Sequence, residues 1–294
     1  MKPAPFEYIS PTTVDEALLH LAEYGYEAKV LAGGQSLIPM MNFRLARPAV
    51  IIDINKIKEL FYIRENQEDG DLRIGAMSRH SQVEHNSLVA DRAPLISEAM
   101  RHIATVQVRS RGTFGGSIAH ADPAAELTAV SVALEGNFLL RSQRGERWVP
   151  AQEFFVGLFT SVLEPDEMLI EARFPSLAER TGCALVEVAR RPHDFALVGV
   201  TATVTLNEDG RCQQAHLVLF SVGDGPVAAH QAVEVLKGKE LTPESLRAAA
   251  EIAAKQDIDP SSDIHASAEY RRHLAGVLSY RALEKANRRA RGDG

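Results

Sequence analysis

The chain has 294 residues, 45% hydrophobic and 24% charged, with a formal net charge of -7. That length accommodates two domains, and the acidic balance argues against a nucleic-acid partner, whose phosphates select basic surfaces. No apolar run approaches the roughly 20 residues of a membrane span, and Met1-Lys2-Pro3-Ala4-Pro5-Phe6 lacks the apolar centre of a secretory signal, so the cytoplasm is the expected compartment.

Thr13-Val14-Asp15-Glu16 has the spacing of a capping box. Val14, Ala17, Leu18, Leu21 and Ala22 follow at helical spacing, and Gly25 is a fitting stop. Ala28 to Ala32 predicts a buried strand, and Gly33-Gly34-Gln35-Ser36 comes directly after it. Leu37 to Met41 predicts a helix start, since Pro39 is tolerated in a first turn. Ala49 to Ile54 predicts a second buried strand, so residues 28–54 form a βαβ unit with the glycines at its strand–helix turn. Leu60 to Arg64 and Leu72 to Met77 predict short strands around Glu68-Asp69-Gly70-Asp71. A helix over Leu95 to Ala104 starts after Pro94, and a second glycine loop, Arg109 to Leu127, runs into a small-residue helix over Ala124 to Leu134.

Strands near Asn137 to Arg141 and over Met168 to Phe174 precede Pro175-Ser176, a domain boundary. Ala184 to Arg190, Ala196 to Leu206 and Ala215 to Val222 then predict three antiparallel strands, two of them joined by Asn207-Glu208-Asp209-Gly210. Thr242-Pro243-Glu244 starts a helix that continues over Leu246 to Lys255, and Tyr270 to Arg289 is a longer one. The expected domains are residues 1–176, subdivided into about 1–57 and 58–176, and residues 177–290.

Two glycine pairs stand out by context. Ser36 follows Gly33-Gly34, and Thr113 and Ser117 flank Gly115-Gly116. One reading is two tight turns. The other is a pair of backbone cradles that clamp a diphosphate, because glycine leaves peptide N–H groups unobstructed and a helix start favours anions. Neither GxGxxG nor GxxxxGK[ST] is present, which disfavours a Rossmann site and a P-loop. Asp122 before Pro123 is either a helix cap or an acceptor for a ribose or ribityl hydroxyl, and Glu126 lies one turn on. Arg190-Arg191-Pro192-His193-Asp194-Phe195 is either a polar connection or a basic loop closing over a ligand. Arg101, His102, Arg109 and Arg111 add positive charge near the second pair. Cys183 and Cys212 belong to no CxxC pair or Cys/His cluster, so no metal ligand set is expected. No nucleophile–base arrangement stands out, so no catalytic side chain is nominated.

The segments AGGQSLIPMMNFRLARP, VIIDINKI, VRSRGTFGGSIAHADPAAEL, DEMLIEARFP and EVARRPHDFALVGV, in this order, resemble the FAD-binding medium subunit of the molybdenum hydroxylases, the carbon monoxide dehydrogenase and xanthine dehydrogenase type enzymes. The resemblance spans nearly the whole chain. It implies an α+β fold: a two-subdomain FAD-binding domain of the PCMH or vanillyl-alcohol-oxidase kind, then a domain of three antiparallel strands and a helical bundle. FAD would lie between them. Lys29, Val30, Leu31, Ala32, Gly33, Gly34, Gln35, Ser36 and Leu37 would hold the diphosphate, helped by Thr113, Gly115, Gly116 and Ser117. Ile103 and Leu169 match positions that pack on the rings, and Asp122 and Glu126 stand in the acidic contact region, Glu126 where Asp is more usual. Phe114 replaces an aliphatic residue. Val186 stands near the place of a xanthine dehydrogenase Lys, which argues against a mammalian-type NAD site. The cysteine-bearing insertion of the benzoyl-CoA reductase branch is missing.

The resemblance further implies a large subunit with a molybdenum-pterin cofactor, a small subunit with two [2Fe–2S] clusters, and a dimer of heterotrimers. This chain would collect electrons on FAD and pass them to an external acceptor, with no hydroxylation of its own. Its compartment would be the cytoplasm, with association of the complex at the inner face of the membrane allowed. Two alternatives remain open: a stand-alone FAD-dependent oxidase or dehydrogenase, and a non-enzymatic nucleotide-binding module. Substrate and acceptor stay open.

Overall fold

The structure, a computed structural model, describes residues 2–293; Met1 and Gly294 fall outside them. The first helix, Val14–Tyr24, starts where the capping signal placed it, with the Glu16 N–H donating to the Thr13 hydroxyl. Its Glu16 carboxylate reaches one residue further back than a capping box requires and accepts from Thr12. Gly25 ends it at φ 50°. Val14, Ala17, Leu18 and Leu21 are buried in a core shared with a three-stranded parallel sheet. Its strands are β1 (Glu7–Ile9), β2 (Ala28–Leu31) and β3 (Val50–Asp53), in the order β1-β3-β2. The apolar run Val50-Ile51-Ile52 is buried because β3 has a neighbour on both sides. β2 is an edge strand, and contrary to expectation it is not uniformly buried: Lys29 is exposed and Val30 and Leu31 are half-buried.

The second sheet is antiparallel. Its strands are β4 (Ile63–Glu65), β5 (Leu72–Gly75), β6 (Asn137–Ser142), β7 (Gly145–Pro150) and, after the small hairpin of β8 (Phe155–Gly157) and β9 (Thr160–Ser161), β10 (Met168–Phe174). Their order is β4-β5-β10-β6-β7. Helices Pro94–Met100, Phe114–His120 and Glu126–Ala133 pack with this sheet around one apolar core. In Glu126–Ala133 every residue from Leu127 onward is buried, so its sequence carries no polar stripe.

The third sheet comprises β11 (Thr181–Ala189), β12 (Ala196–Leu206), β13 (Cys212–Phe220) and β14 (Val227–Ala228). The expected three strands are present, and the two-residue β14 adds a fourth beside Val218 and Leu219. Helices Pro243–Ile252 and Ala268–Ala290 cover the sheet; the first is capped by the Thr242 hydroxyl, which accepts from the Ser245 N–H.

The two halves are joined by apolar and polar contacts alike. Cys183, Leu185, Ala196, Val218 and Phe220 belong to the same core as the second sheet. The Ser221 N–H donates to the Pro123 carbonyl at 2.8 Å. Lys285 and Arg289 of the last helix pair with Glu98, and His102 pairs with Glu187 at 3.0 Å. Among the described residues no helix is long and apolar enough to cross a membrane.

Candidate cofactor site

The first glycine loop leaves β2 at Leu31 and enters helix Leu37–Asn42. Gly34 has φ +73°, a conformation glycine adopts freely and other residues adopt at a cost. Intrahelical bonding begins when the Ile38 N–H donates to the Gly34 carbonyl at 3.2 Å. The peptide N–H groups of Gly33, Gly34, Gln35, Ser36 and Leu37 have no acceptor among the described residues. Five adjacent free donors at a strand–helix turn are the chemistry of an anion site.

The second glycine pair is different, and its hydrogen bonds do not favour the reading that made it a second backbone cradle. Gly115-Gly116 is not a loop feeding the helix that follows Pro123. It lies inside a helix of its own, Phe114–His120, capped by Thr113. Its donors are already used: Phe114 donates to Ser78 O and Gly115 to Ala76 O, both at 2.9 Å, and Gly116 to the Thr113 hydroxyl at 3.2 Å. The backbone of Ala76 and Ser78 and the Thr113 hydroxyl thus occupy the N–H groups of Phe114, Gly115 and Gly116.

The two loops nonetheless meet. A Cβ on Gly33 would lie 2.4 Å from Arg111 O and 2.8 Å from Gly112 Cα. Gly33 is therefore bare because the backbone of the second loop lies against it, before any ligand is considered. The space a Cβ on Gly116 would fill is 3.6 Å from Ala32 Cβ.

Beside this contact is a cleft of about 390 Å³. Leu31 to Gln35 line it, together with Asn42 and, across from them, Asp53, Asn55 and Arg111. Asp53 accepts from the Tyr8 hydroxyl at 2.5 Å and from the Asn55 backbone at 2.9 Å. Burial opposes its charge, but the hydrogen bonds from Tyr8 and Asn55 outweigh it and hold the carboxyl below its usual range. Asn55 Nδ2 donates to Ala32 O at 2.8 Å, which fixes the start of the glycine loop.

The sequence-nominated residues thus divide. Leu31, Ala32, Gly33, Gly34 and Gln35 line the cleft, and Ser36 and Leu37 add free N–H groups beside it. Lys29 and Val30 belong to β2 and do not line it. Thr113 and Gly115 are buried, Gly116 is half-buried next to Ala32 of the first loop, and Ser117 is half-buried. Ile103 and Leu169 are buried in the core of the second sheet. Asp122 is not the helix cap that one reading made it: its Oδ1 accepts from the Ala124 N–H in a local turn, and the following helix begins only at Glu126. No residue of Arg190 to Phe195 lines the cleft, and all six are exposed.

Glu126 lies in a second, separate cluster. Burial, reinforced by the charge of Glu187, pushes its carboxyl up to about 8. The hydrogen bond to Glu187 raises His102, so this region holds its protons tightly. Asp53 and Asn55, and Arg79, whose side chain donates to Asn55 Oδ1 at 2.6 Å, escaped the sequence reading. Asp-Ile-Asn directly after a strand is an Asx-turn signal that could have found the first two. Nothing local marks Arg79.

Two family descriptions match the chain: the FAD binding domain in molybdopterin dehydrogenase over residues 4–177, and the CO dehydrogenase flavoprotein C-terminal domain over residues 184–286. The 6-hydroxypseudooxynicotine dehydrogenase complex subunit alpha of Paenarthrobacter nicotinovorans is 40% identical over 99% of this chain and 97% of its own. The carbon monoxide dehydrogenase medium chain of Hydrogenophaga pseudoflava is 39% identical over 97% and 98%. The solved carbon monoxide dehydrogenase from Hydrogenophaga pseudoflava superposes with a TM-score of 0.94 at 39% identity, covering 97% of this chain and 98% of that one. Quinoline 2-oxidoreductase from Pseudomonas putida 86 gives 0.92 at 35%, covering 100% and 99%. Matched along both domains in sequence and in fold, the chain belongs to the FAD-binding medium subunits of the molybdenum hydroxylases, and it is an oxidoreductase subunit.

Proposed function

We propose that this chain holds FAD with its diphosphate on the first glycine loop and serves as the electron-transfer subunit of a molybdenum hydroxylase. The observation that carries the reading is the run of five unpaired peptide N–H groups, Gly33 to Leu37, on a cleft in a chain of this family. These donors fit a diphosphate, which offers several acceptor oxygens and negative charge within reach of one backbone turn. The half-buried Ser117 and the exposed Arg111 are the donors that the second loop can still contribute, since its backbone is committed. Ile103 and Leu169 are assigned to the ring end of the cofactor, and Glu126 to a polar contact there. Thr113, Gly115 and Gly116 shape the second loop.

FAD, when bound, supplies the redox chemistry; the protein binds it, orients it and excludes water around it. No side chain of this chain is assigned an acid, base or nucleophile role. Electrons would arrive from [2Fe–2S] clusters of a small subunit, after substrate oxidation on a large molybdenum-bearing subunit. They would leave to an external acceptor. The assembly would be a dimer of heterotrimers in the cytoplasm.

Purification of the tagged chain from its host tests this. A yellow protein with flavin absorbance, two partner chains, iron and molybdenum is the expected result. Colourless protein that takes up no FAD overturns the cofactor assignment, and flavin without partners but with substrate turnover overturns the subunit role.

A further inference from the structure

Arg79 touches neither the glycine pairs nor the open cleft, yet it connects the two loops. Its backbone belongs to the second loop's support: Arg79 bridges Thr113, and the His80 N–H donates to Gly112 O at 3.0 Å. Its side chain then crosses toward the first loop. One terminal nitrogen donates to Arg111 O, the carbonyl that lies against Gly33. The other donates to Asn55 Oδ1 at 2.6 Å, and Asn55 in turn holds Ala32 O at 2.8 Å. The guanidinium lies over the Phe61 ring at 5.5 Å. A planar fork with donors on two sides can span two acceptors in this way; an ammonium cannot do so with the same geometry.

The charge of Arg79 is only partly compensated, by the carboxylate of Asp53 nearby. Neither Arg79 nor Arg111 forms an ion pair with a carboxylate among the described residues. Burial and the neighbouring Arg111 charge lower the pKa of Arg79, and the Asp53 charge offsets them only in part. Two cations and five free N–H groups stand against the single carboxylate of Asp53 here, which leaves the region with an excess of positive potential. An anion between the loops relieves that excess.

We infer that Arg79 is a positioning residue that holds the two loops in register for a diphosphate and adds positive charge behind them. The inference rests on the FAD reading above. It assigns Arg79 no contact with the reacting rings.

The test uses the purified protein with whatever partners it retains. FAD release on dilution is followed by flavin fluorescence for wild type, Arg79→Gln and Arg79→Lys. Losing two charge-assisted hydrogen bonds should speed release about 10- to 100-fold in Arg79→Gln. Arg79→Lys keeps a cation but loses the fork, so it should release FAD at least about 10-fold faster as well. It carries the same prediction if the Gln variant fails to fold. Competition with ADP, which contains the diphosphate, should weaken by the same factor as FAD binding, whereas competition by riboflavin, which lacks it, should not change. Wild-type release rates in either folded variant, or equal weakening of ADP and riboflavin, would overturn the inference. A wild-type protein that binds no FAD would instead remove the reading beneath it.

Discussion

Substituting Gly33 by alanine separates packing from cofactor contact. The added Cβ would meet Arg111 O at 2.4 Å and Gly112 Cα at 2.8 Å, both backbone atoms that cannot rotate away. Relieving the oxygen contact to an ordinary van der Waals distance needs a shift of about 1 Å in one loop, an overpacking change of the kind that costs about 1–3 kcal/mol. The same carbonyl accepts from Arg79, so moving it also stretches that bond. Gly34→Ala is the contrast. There the left-handed backbone costs about 1–2 kcal/mol, but the new atom meets only the tips of Ile38 and Leu31, at 3.1 and 3.2 Å. Gly33→Ala should therefore destabilise the protein without its cofactor at least as much as Gly34→Ala. Trp148, the one tryptophan of the chain, sits on β7 and reports unfolding of this half by fluorescence. For a unit of this size about 1 kcal/mol moves the thermal midpoint by roughly 2–4 °C, so a drop of about 2–12 °C is expected for Gly33→Ala. A midpoint equal to wild type, with normal flavin content, would refute the claim that the two loops are in backbone contact at Gly33.

Two further outcomes follow from the charges at the domain contact. An acid whose folded pKa is raised costs no stability below its ordinary value of 4.5 and its full cost above about 8, so Glu126 should make the protein less stable as pH rises through that window. His102 acts in the same direction, because its raised pKa contributes stability at low pH that is lost as pH rises through the folded value. Glu126→Gln should flatten the pH dependence of the thermal midpoint between 5 and 9 and leave the His102 part; an unchanged profile would rule out Glu126 as its source. Glu98→Ala leaves Lys285 and Arg289 without their carboxylate across the contact and should cost about 1–3 kcal/mol, read as a lower thermal midpoint; no change would mean that the two ion pairs are solvated and idle.

The elements legible in the sequence are those with a local physical signal. Thr13 and Thr242 cap real helices, Gly25 stops one, and Val50-Ile51-Ile52 is buried as its composition suggests. Helix Phe114–His120 was not legible, because Phe-Gly-Gly is a poor helix start by propensity. It forms because the Thr113 cap and the backbone of Ala76 and Ser78 satisfy its first N–H groups, and Ala76 and Ser78 come from far along the chain. β1 has three residues and no buried face, so only its pairing with β3 defines it. Asp122 was misjudged as a cap because the pattern Asp-Pro also suits a turn, which is what it makes with Ala124. The family resemblance assigned the first loop to the cofactor, and that loop lines a cleft. The local reading assigned both glycine pairs the same task, and the distances at Gly33 and Gly115 show unequal ones.

The run of free donors from Gly33 to Leu37 belongs to the main chain, and main-chain groups are the same whatever side chain they carry. Gln35 and Ser36 are exposed and can be exchanged without removing a single N–H from the run, provided the new residue is not proline. Gly33 and Gly34 lack that latitude, one for space and the other for its dihedral angle. Tolerance to substitution should thus differ along the run, with two narrow positions, Gly33 and Gly34, followed by two permissive ones, Gln35 and Ser36, before the half-buried Leu37. A loop built this way can keep presenting the same donors while the residues around it drift.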